Sequence, residues 1–372
     1  MRISFFVPSC TPDNSHGRYV IELAKRIGSE HPVTVYAGHF WPPIRSAVRC
    51  RSLPVPNRPA IARIATLWIA SVVMKERRHA DIVHVQGGDA PVGNVVTAHF
   101  CNKAMLASAD QRLGLYHRLN YVIGAAAEKY CMSKSSTRRI IAVSEQVKDQ
   151  IELKYGVDPK RTVVIHHGVD PQAFHPRHRT RWRASVRDRL GLGRDEFLVL
   201  FVGGDHRRKG LVQLLEAVGR VPGAVKVLAV GVKANAALAR LVRQRGPNRL
   251  VTFLGHSTEM APLYAAADCF ALPTRYDTFS LATLEAMASG LPVIVSRAAG
   301  VSELLTPDRD SLILEDPSDV NALAQHLSRL IEDETLRSGL GVEARKTAER
   351  YSWDDVATRT VAVYRETLAS AR

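Results

Sequence analysis

Tyr276-Asp277-Thr278-Phe279-Ser280-Leu281-Ala282-Thr283-Leu284-Glu285-Ala286-Met287-Ala288-Ser289-Gly290 follows a strand-like run, Cys269 to Thr274. It reads as a tight turn opening into a helix that stops at Gly290. Two carboxylates, Asp277 and Glu285, stand eight positions apart in it. The start of such a helix leaves backbone N–H groups without partners, and with the helix dipole they attract phosphate. A carboxylate beside an anion-binding helix end needs work of its own, such as gripping hydroxyl groups. The stretch points to a ligand that carries both phosphate and sugar.

Outward from this stretch, short β-branched runs alternate with helical patterns. Ile3–Val7, Val33–Tyr36, Asp81–Val85, Val95–His99, Ile140–Ser144 and Val163–His166 read as strands. Between the first two, Val20, Leu23, Ala24 and Ile27 share one helical face. An Arg-rich stretch, Arg177 to Arg194, reads as a connector plus a solvated helix. The pattern then restarts with Phe197–Val202, Val225–Val230, Leu250–Leu254, Cys269–Leu272, Pro292–Ser296 and Ser311–Leu314. Such alternation predicts two doubly wound parallel-sheet blocks, with ligand at the C-terminal strand ends.

Three further groups sit where those strand ends are expected. Gly203-Gly204-Asp205-His206-Arg207-Arg208-Lys209-Gly210 follows a strand and precedes a helix. Its glycines permit close backbone approach, and Arg208 and Lys209 bring charge to where a diphosphate would lie. Gly17 falls between the first strand and first helix, where a loop can approach phosphate. His99 ends the run Val95-Val96-Thr97-Ala98-His99 and points toward the expected site. Ser144-Glu145 reads as a helix cap, and Gly168 in His167-Gly168-Val169-Asp170 as a turn residue at positive φ.

The carboxylate pair resembles the E-x7-E motif of glycosyltransferase family 4, retaining enzymes of GT-B fold, and the Gly203-to-Gly210 run is similar to the Gly-x-Asp-x-x-Arg-Lys-Gly of bacterial lipopolysaccharide-core glucosyltransferases. The resemblance runs on through Gly290-Leu291-Pro292-Val293 and Gly300-Val301-Ser302-Glu303. It implies two Rossmann-like domains facing a cleft: residues 1–172 for the acceptor, 173–352 for the nucleotide sugar, and a helix, 353–372, returning to the first. Glu285 would take ribose hydroxyls, and Arg208 and Lys209 the diphosphate. Gly17, Gly203 and Gly204 would line the donor, and Thr278, Phe279, Ser280 and Leu281 would meet phosphate or sugar oxygens. Asp277 and His99 would flank the transferred sugar. Asp277 replaces the family's Glu, which shortens the reach by one methylene, and Ser280 replaces its Gly, which removes backbone freedom.

The implied activity is metal-independent transfer of a hexose, glucose from UDP-glucose being the first expectation, to a glycan or lipid-linked acceptor of the cell envelope. The alternatives are a nucleotide-sugar epimerase of the same fold and a catalytically silent homologue that binds glycans or partners. No G-x-G-x-x-G follows the first strand of either block, which argues against a dehydrogenase.

Composition bounds the rest. A chain of 372 residues with 46% hydrophobic content supports two cores. Residues 1–190 hold 29 Lys and Arg against 14 Asp and Glu, while residues 191–372 hold 22 of each. The whole positive excess lies in the first half, which implies an anionic partner there. From Lys103 to Arg139, basic residues Lys103, Arg112, Arg118, Lys129, Arg138 and Arg139 interleave with Leu113, Leu115, Tyr116, Leu119, Tyr121 and Val122. This reads as an amphipathic helix pair that either packs on the first domain or forms a surface for anionic lipid or a phosphorylated acceptor. No nucleic-acid module accompanies the charge, so no nucleic-acid partner is expected. The five cysteines follow neither a disulfide nor a zinc pattern, and no metal site is expected. Met1-Arg2 leads directly into a strand pattern, and the apolar run Ile64 to Met74 is short for a bilayer. The expected location is the cytoplasm, or the inner face of the cytoplasmic membrane.

Overall fold

The computed structural model describes residues 1–56, 60–74, 79–108, 114–193, 195–234, 238, 240, 242 and 251–370. Arg112, Leu113, Arg194 and Leu250, named above, lie outside them. The chain divides into two compact units: Met1–His167 with Trp353–Arg372, and Gly168–Ser352. They are called unit 1 and unit 2 below.

Unit 1 contains β1 (Ile3–Phe6), β2 (Ser9–Cys10), β3 (Val33–Ala37), β4 (His39–Phe40), β5 (Arg49–Ser52), β6 (Ile82–Gln86), β7 (Val95–Ala98), β8 (Arg139–Ala142) and β9 (Thr162–Val164). Seven of these form a sheet in the order β5-β3-β1-β6-β7-β8-β9, and β2 pairs with β4. Every pairing in the larger sheet is parallel. Each residue of β1 and β6 is buried, as a sheet covered on both faces requires. The strand order reverses between β1 and β6, and ligand sites of doubly wound sheets form at such a switch point.

Burying His84 and Gln86 in β6 demands partners. His84 Nδ1 lies 2.6 Å from the Tyr364 hydroxyl, and Nε2 lies 2.6 Å from Thr97 Oγ1. Burial pushes the His84 pKa down to about 3, so the ring is neutral. Tyr364 belongs to the last helix, Trp353–Ala369, which also buries Trp353, Val356 and Val363 within unit 1.

Unit 2 contains β10 (Phe197–Val202), β11 (Val225–Val230), β12 (Val251–Gly255), β13 (Cys269–Leu272), β14 (Val293–Ser296) and β15 (Leu312–Leu314). They form a parallel sheet in the order β12-β11-β10-β13-β14-β15, reversing between β10 and β13.

Three expectations change. The strand β5, Arg-Cys-Arg-Ser, was invisible in the pattern because it is an edge strand with mostly exposed side chains. The helix His178–Arg189 is not simply solvated, since Arg183 and Arg187 turn onto Asp268 at 2.6 and 3.1 Å. Gly168 is not at positive φ. The next residue, Val169, instead bridges Ser352 in a parallel pair, so the chain runs extended as it enters unit 2.

Candidate active site

At the unit 2 switch point, two loops distant in sequence meet. The loop after β10 runs from Gly203 to Gly210, and the loop after β13 from Pro273 to Ser280. Gly210 starts the helix Leu211–Val218 at φ 79°, and a Cβ there would lie 1.9 Å from the Pro273 carbonyl oxygen. Only glycine allows this approach. The Arg208 guanidinium donates to the Tyr276 carbonyl and to Asp205 Oδ2 at 3.1 Å, while the Arg208 carbonyl accepts from Arg275 N at 2.8 Å. Lys209 Nζ stands 3.1 Å from Asp277 Oδ2, an ion pair whose side chains are 17% and 13% exposed. Its distance fits an ion pair, but no hydrogen bond reaches that oxygen. Gly203 is packed beneath the Lys209 chain, where a Cβ would come within 2.2 Å of Lys209 Cδ. Gly204 is exposed beside it.

The helix after this loop spans Leu281–Ala288. Asp277 is held by its backbone, which donates to the Ala298 carbonyl at 3.2 Å and accepts from Gly300 N at 2.8 Å. Phe279 puts its side chain in the core, 2% exposed, and its carbonyl accepts from Val301 N at 2.7 Å. Ser280 caps the helix, its Oγ accepting from Thr283 N at 3.4 Å. It does so at φ 81°, a left-handed backbone that favours glycine. Thr278, Leu281 and Ala282 are partly exposed, and the amides that open the helix have no intrahelical acceptor. Glu285 is one turn further in and 4% exposed, with Oε2 receiving the Tyr264 hydroxyl at 2.8 Å. Tyr264 was not singled out from the sequence. Nothing in its surroundings, Leu263 to Ala267, distinguishes it from ordinary core.

In unit 1, a cavity of about 470 Å3 opens beside the β1/β6 switch point. His99 lines it, 3% exposed, with Nε2 at 2.8 Å from Gln86 Oε1 and Nδ1 without a hydrogen-bond partner. Burial, with His16, His167 and His84 nearby, holds the His99 pKa well below the usual range. His16 stacks on it at 4.2 Å between ring centroids and places Nδ1 3.5 Å from Asp89 Oδ2. Arg63 Nε and Asn120 Oδ1, also on cavity-lining residues, are buried without hydrogen-bond partners. Donors and acceptors thus mix around one space.

Glu128 closes one wall, 2% exposed. It accepts from Asn102 N at 2.8 Å, Asn102 Nδ2 at 2.6 Å and the Tyr155 hydroxyl at 2.5 Å. Burial nevertheless pushes its pKa up to about 8, against those donors. Sequence reasoning missed Asp89 and Glu128. A signal for Asp89 was present, because Gly87-Gly88-Asp89 after β6 repeats the Gly203-Gly204-Asp205 that follows β10.

Gly17 does not sit in the loop between strand and helix. It lies inside the first turn of the helix Ser15–Ile27, and its amide donates to Asn14 Oδ1 at 2.6 Å. A Cβ there would lie 2.5 Å from the carbonyls of Ser9 and Thr11. The close approach it permits is to its own chain. Ser144 caps the helix Glu145–Tyr155, accepting from Val147 N at 3.1 Å.

Residues 16–173 match the family model described as Glycosyltransferase Family 4, and residues 196–333 that described as Glycosyl transferases group 1. The chain is similar to the MMP alpha-(1->4)-mannosyltransferase of Mycolicibacterium hassiacum, 33% identical over 247 residues, 64% of this chain and 57% of that protein. It is likewise similar to a D-inositol 3-phosphate glycosyltransferase of Streptomyces bingchenggensis, 32% identical over 251 residues, 63% of this chain and 54% of that protein. The matched stretch thus spans little more than half the length of these curated relatives. The solved structure of WaaG, a glycosyltransferase involved in lipopolysaccharide biosynthesis, matches with a TM-score of 0.83 at 21% identity, over 97% of this chain and 99% of that one. Its backbone agreement identifies the two parallel α/β sheets as the GT-B fold. Glycosyltransferase family models thus match both units, Glycosyltransferase Family 4 on residues 16–173 and Glycosyl transferases group 1 on residues 196–333.

Proposed function

We propose that this protein is a retaining glycosyltransferase that moves a hexose, glucose from UDP-glucose first among them, to a hydroxyl of a glycan or lipid-linked acceptor. The observation that carries this reading is the meeting of Arg208 and Lys209 with the Tyr276–Asp277 loop at the unit 2 switch point. On this reading Glu285 holds the ribose hydroxyls, and Tyr264 fixes its carboxylate. Arg208, Lys209 and the amides that open the Leu281–Ala288 helix face the diphosphate. They stabilise the charge that develops on it as the sugar leaves, and no metal ion is needed for that purpose. Lys209 exchanges Asp277 for phosphate when the donor enters, which releases Asp277 to the hydroxyls of the sugar. The bond from C1 to the leaving phosphate breaks as the acceptor oxygen attacks the same face, and the acceptor proton passes to that phosphate.

Unit 1 contributes the acceptor side, where His99 lines its own cavity as a neutral ring. The helix Leu115–Ser133 exposes Leu115, Tyr116, Leu119 and Val122, on the half of the chain that carries the positive excess. Among the described residues no helix is long and apolar enough to cross a membrane. The exposed face suits an anionic bilayer surface, where a lipid-linked acceptor on the cytoplasmic side would be met.

A thermal-shift series with UDP, GDP and ADP and their sugars tests the donor assignment, since a ligand of the folded state raises Tm with concentration. One nucleotide diphosphate should stand out, and Glu285→Ala should abolish its shift while the protein stays folded. Equal shifts for wild type and variant would remove Glu285 from the site. Consumption of donor without acceptor, yielding an epimer, would replace transfer by epimerisation.

A further inference from the structure

The N-terminal edge of the unit 2 sheet, opposite the strand ends that carry Lys209 and Asp277, holds a second cavity of about 470 Å3. Asp268, just before β13, and Pro292, just before β14, mark its position. Five cations line it, Arg179, Arg183, Arg337, Arg345 and Lys346, against Asp268 and Glu334. Asp268 is shared: Arg183 reaches it at 2.6 Å and Arg179 at 3.8 Å, with Arg187 behind them at 3.1 Å.

Carboxylates outside the cavity wall pair with two more of these cations, Glu349 with Arg345 at 2.7 Å and Glu343 with Lys346 at 2.6 Å, and Glu334 stands 3.8 Å from Arg337. Further guanidinium N–H groups are fixed by carbonyls. Arg179 donates to Ala267 O at 2.8 Å, Arg337 to Leu330 O at 2.7 Å and Arg345 to Phe174 O at 2.7 Å. A carbonyl orients a guanidinium without cancelling its charge. With Arg187, six cations thus stand against four carboxylates, Asp268, Glu334, Glu343 and Glu349, which leaves a positive excess around the concavity. Burial first, and then the neighbouring Arg183, lowers the Arg179 pKa.

We propose that this cavity is a binding site for a small phosphate-bearing anion, separate from the donor site. Planar guanidinium groups match phosphate oxygens in pairs, and positioning them in advance lowers the cost of binding. The site also adjoins the donor-carrying helix at its other end. Arg345 donates to the Ala288 carbonyl, the last residue of Leu281–Ala288, and Gly290 forms part of the cavity wall. An anion held there braces the end of the helix whose body carries Glu285.

The test titrates inorganic pyrophosphate into the full chain at constant ionic strength and follows Tm. Four proteins are compared: wild type, Lys209→Ala, the double variant Arg179→Gln/Lys346→Gln, and Ser338→Glu. Ser338 is an exposed residue on the cavity rim, so its replacement introduces a carboxylate without removing an arginine. A concentration-dependent rise in Tm is expected in wild type and in Lys209→Ala. The double variant should bind about tenfold more weakly or worse. Ser338→Glu should start from a higher Tm and lose the response, which a purely structural arginine cluster would not produce. The idea is overturned if wild type does not respond. It is equally overturned if the response disappears in Lys209→Ala but survives in the double variant, which would place pyrophosphate on the donor loop. Should the double variant fail to fold, Ser338→Glu decides alone, and an unchanged response in it counts against the site.

Discussion

The two units solve the same topological problem with opposite electrostatics. Each is an all-parallel sheet whose strand order reverses once, between β1 and β6 in unit 1 and between β10 and β13 in unit 2. At the unit 2 reversal the chemistry is permanent charge, with Lys209 on Asp277 and Arg208 clamped to a carbonyl. At the unit 1 reversal it is the neutral imidazole of His99, with the His16 ring stacked on it, beside a cavity that leaves several polar atoms unanswered. A diphosphate always carries charge, so fixed cations can be built to meet it. An acceptor hydroxyl is neutral, and recognising it takes hydrogen-bonding groups whose partners arrive with the ligand.

The sharpest way to break this contrast is Lys209→Ala. If permanent charge is what unit 2 supplies, losing it should cut transfer by roughly 10²–10³-fold, the usual cost of removing one group that stabilises developing charge. His99→Gln, a neutral replacement in unit 1, should cost much less. Steady-state rates with a matched donor and acceptor decide it, and equal losses would erase the distinction.

The pH dependence of stability should separate the units next. Glu128 has a folded pKa of about 8 against an ordinary 4.5, so its contribution is complete below pH 4.5 and is lost as pH rises through 8. His84 and His99 have depressed folded values, so their contribution is present above the ordinary 6.5 and is lost as pH falls below it. Unit 1 should therefore be most stable near pH 6.5. It should lose about 1.4 kcal/mol per pH unit toward pH 8. Hydrogen exchange of amides from each unit measures this separately, and Glu128→Gln should flatten the alkaline limb. An unchanged slope in that variant would assign the loss elsewhere.

Tyr364→Phe tests how the last helix is held to unit 1. It removes the only hydrogen bond described at His84 Nδ1 and leaves a buried nitrogen unanswered, at a cost of about 1–3 kcal/mol. Denaturant midpoints should fall accordingly, without loss of nucleotide binding by unit 2. Ser280→Gly should have the smallest effect. It relieves a left-handed backbone at φ 81° by roughly 1 kcal/mol and gives up a cap worth only a few tenths relative to glycine. A small rise in Tm is expected, and a fall would mean that the Ser280–Thr283 hydroxyl contact, at 2.8 Å, matters more than the backbone.

What could be read in advance divides along physical lines. Parallel strands buried on both faces announce themselves as apolar runs, so Phe197–Val202 and Val225–Val230 were legible to the residue. The exposed edge strand β5 was not, because nothing in Arg-Cys-Arg-Ser departs from a loop. Gly17 was read as a phosphate-side glycine because spacing shows only that a glycine is near a helix start. Whether its amide is free depends on Asn14, which takes it.

The sequence alone determined the order of the βα units, the reaction class that its carboxylate pair and basic loop resemble, and the concentration of positive charge in the first half. Each of these is a local or compositional property. Tertiary structure alone decided that Lys209 faces Asp277, that Tyr264 stands behind Glu285, that Glu128 and His99 share a cavity, and that three arginines converge on Asp268. These are pairings between residues far apart in the chain. Their chemistry comes from burial and proximity, which exist only once the sheets have formed.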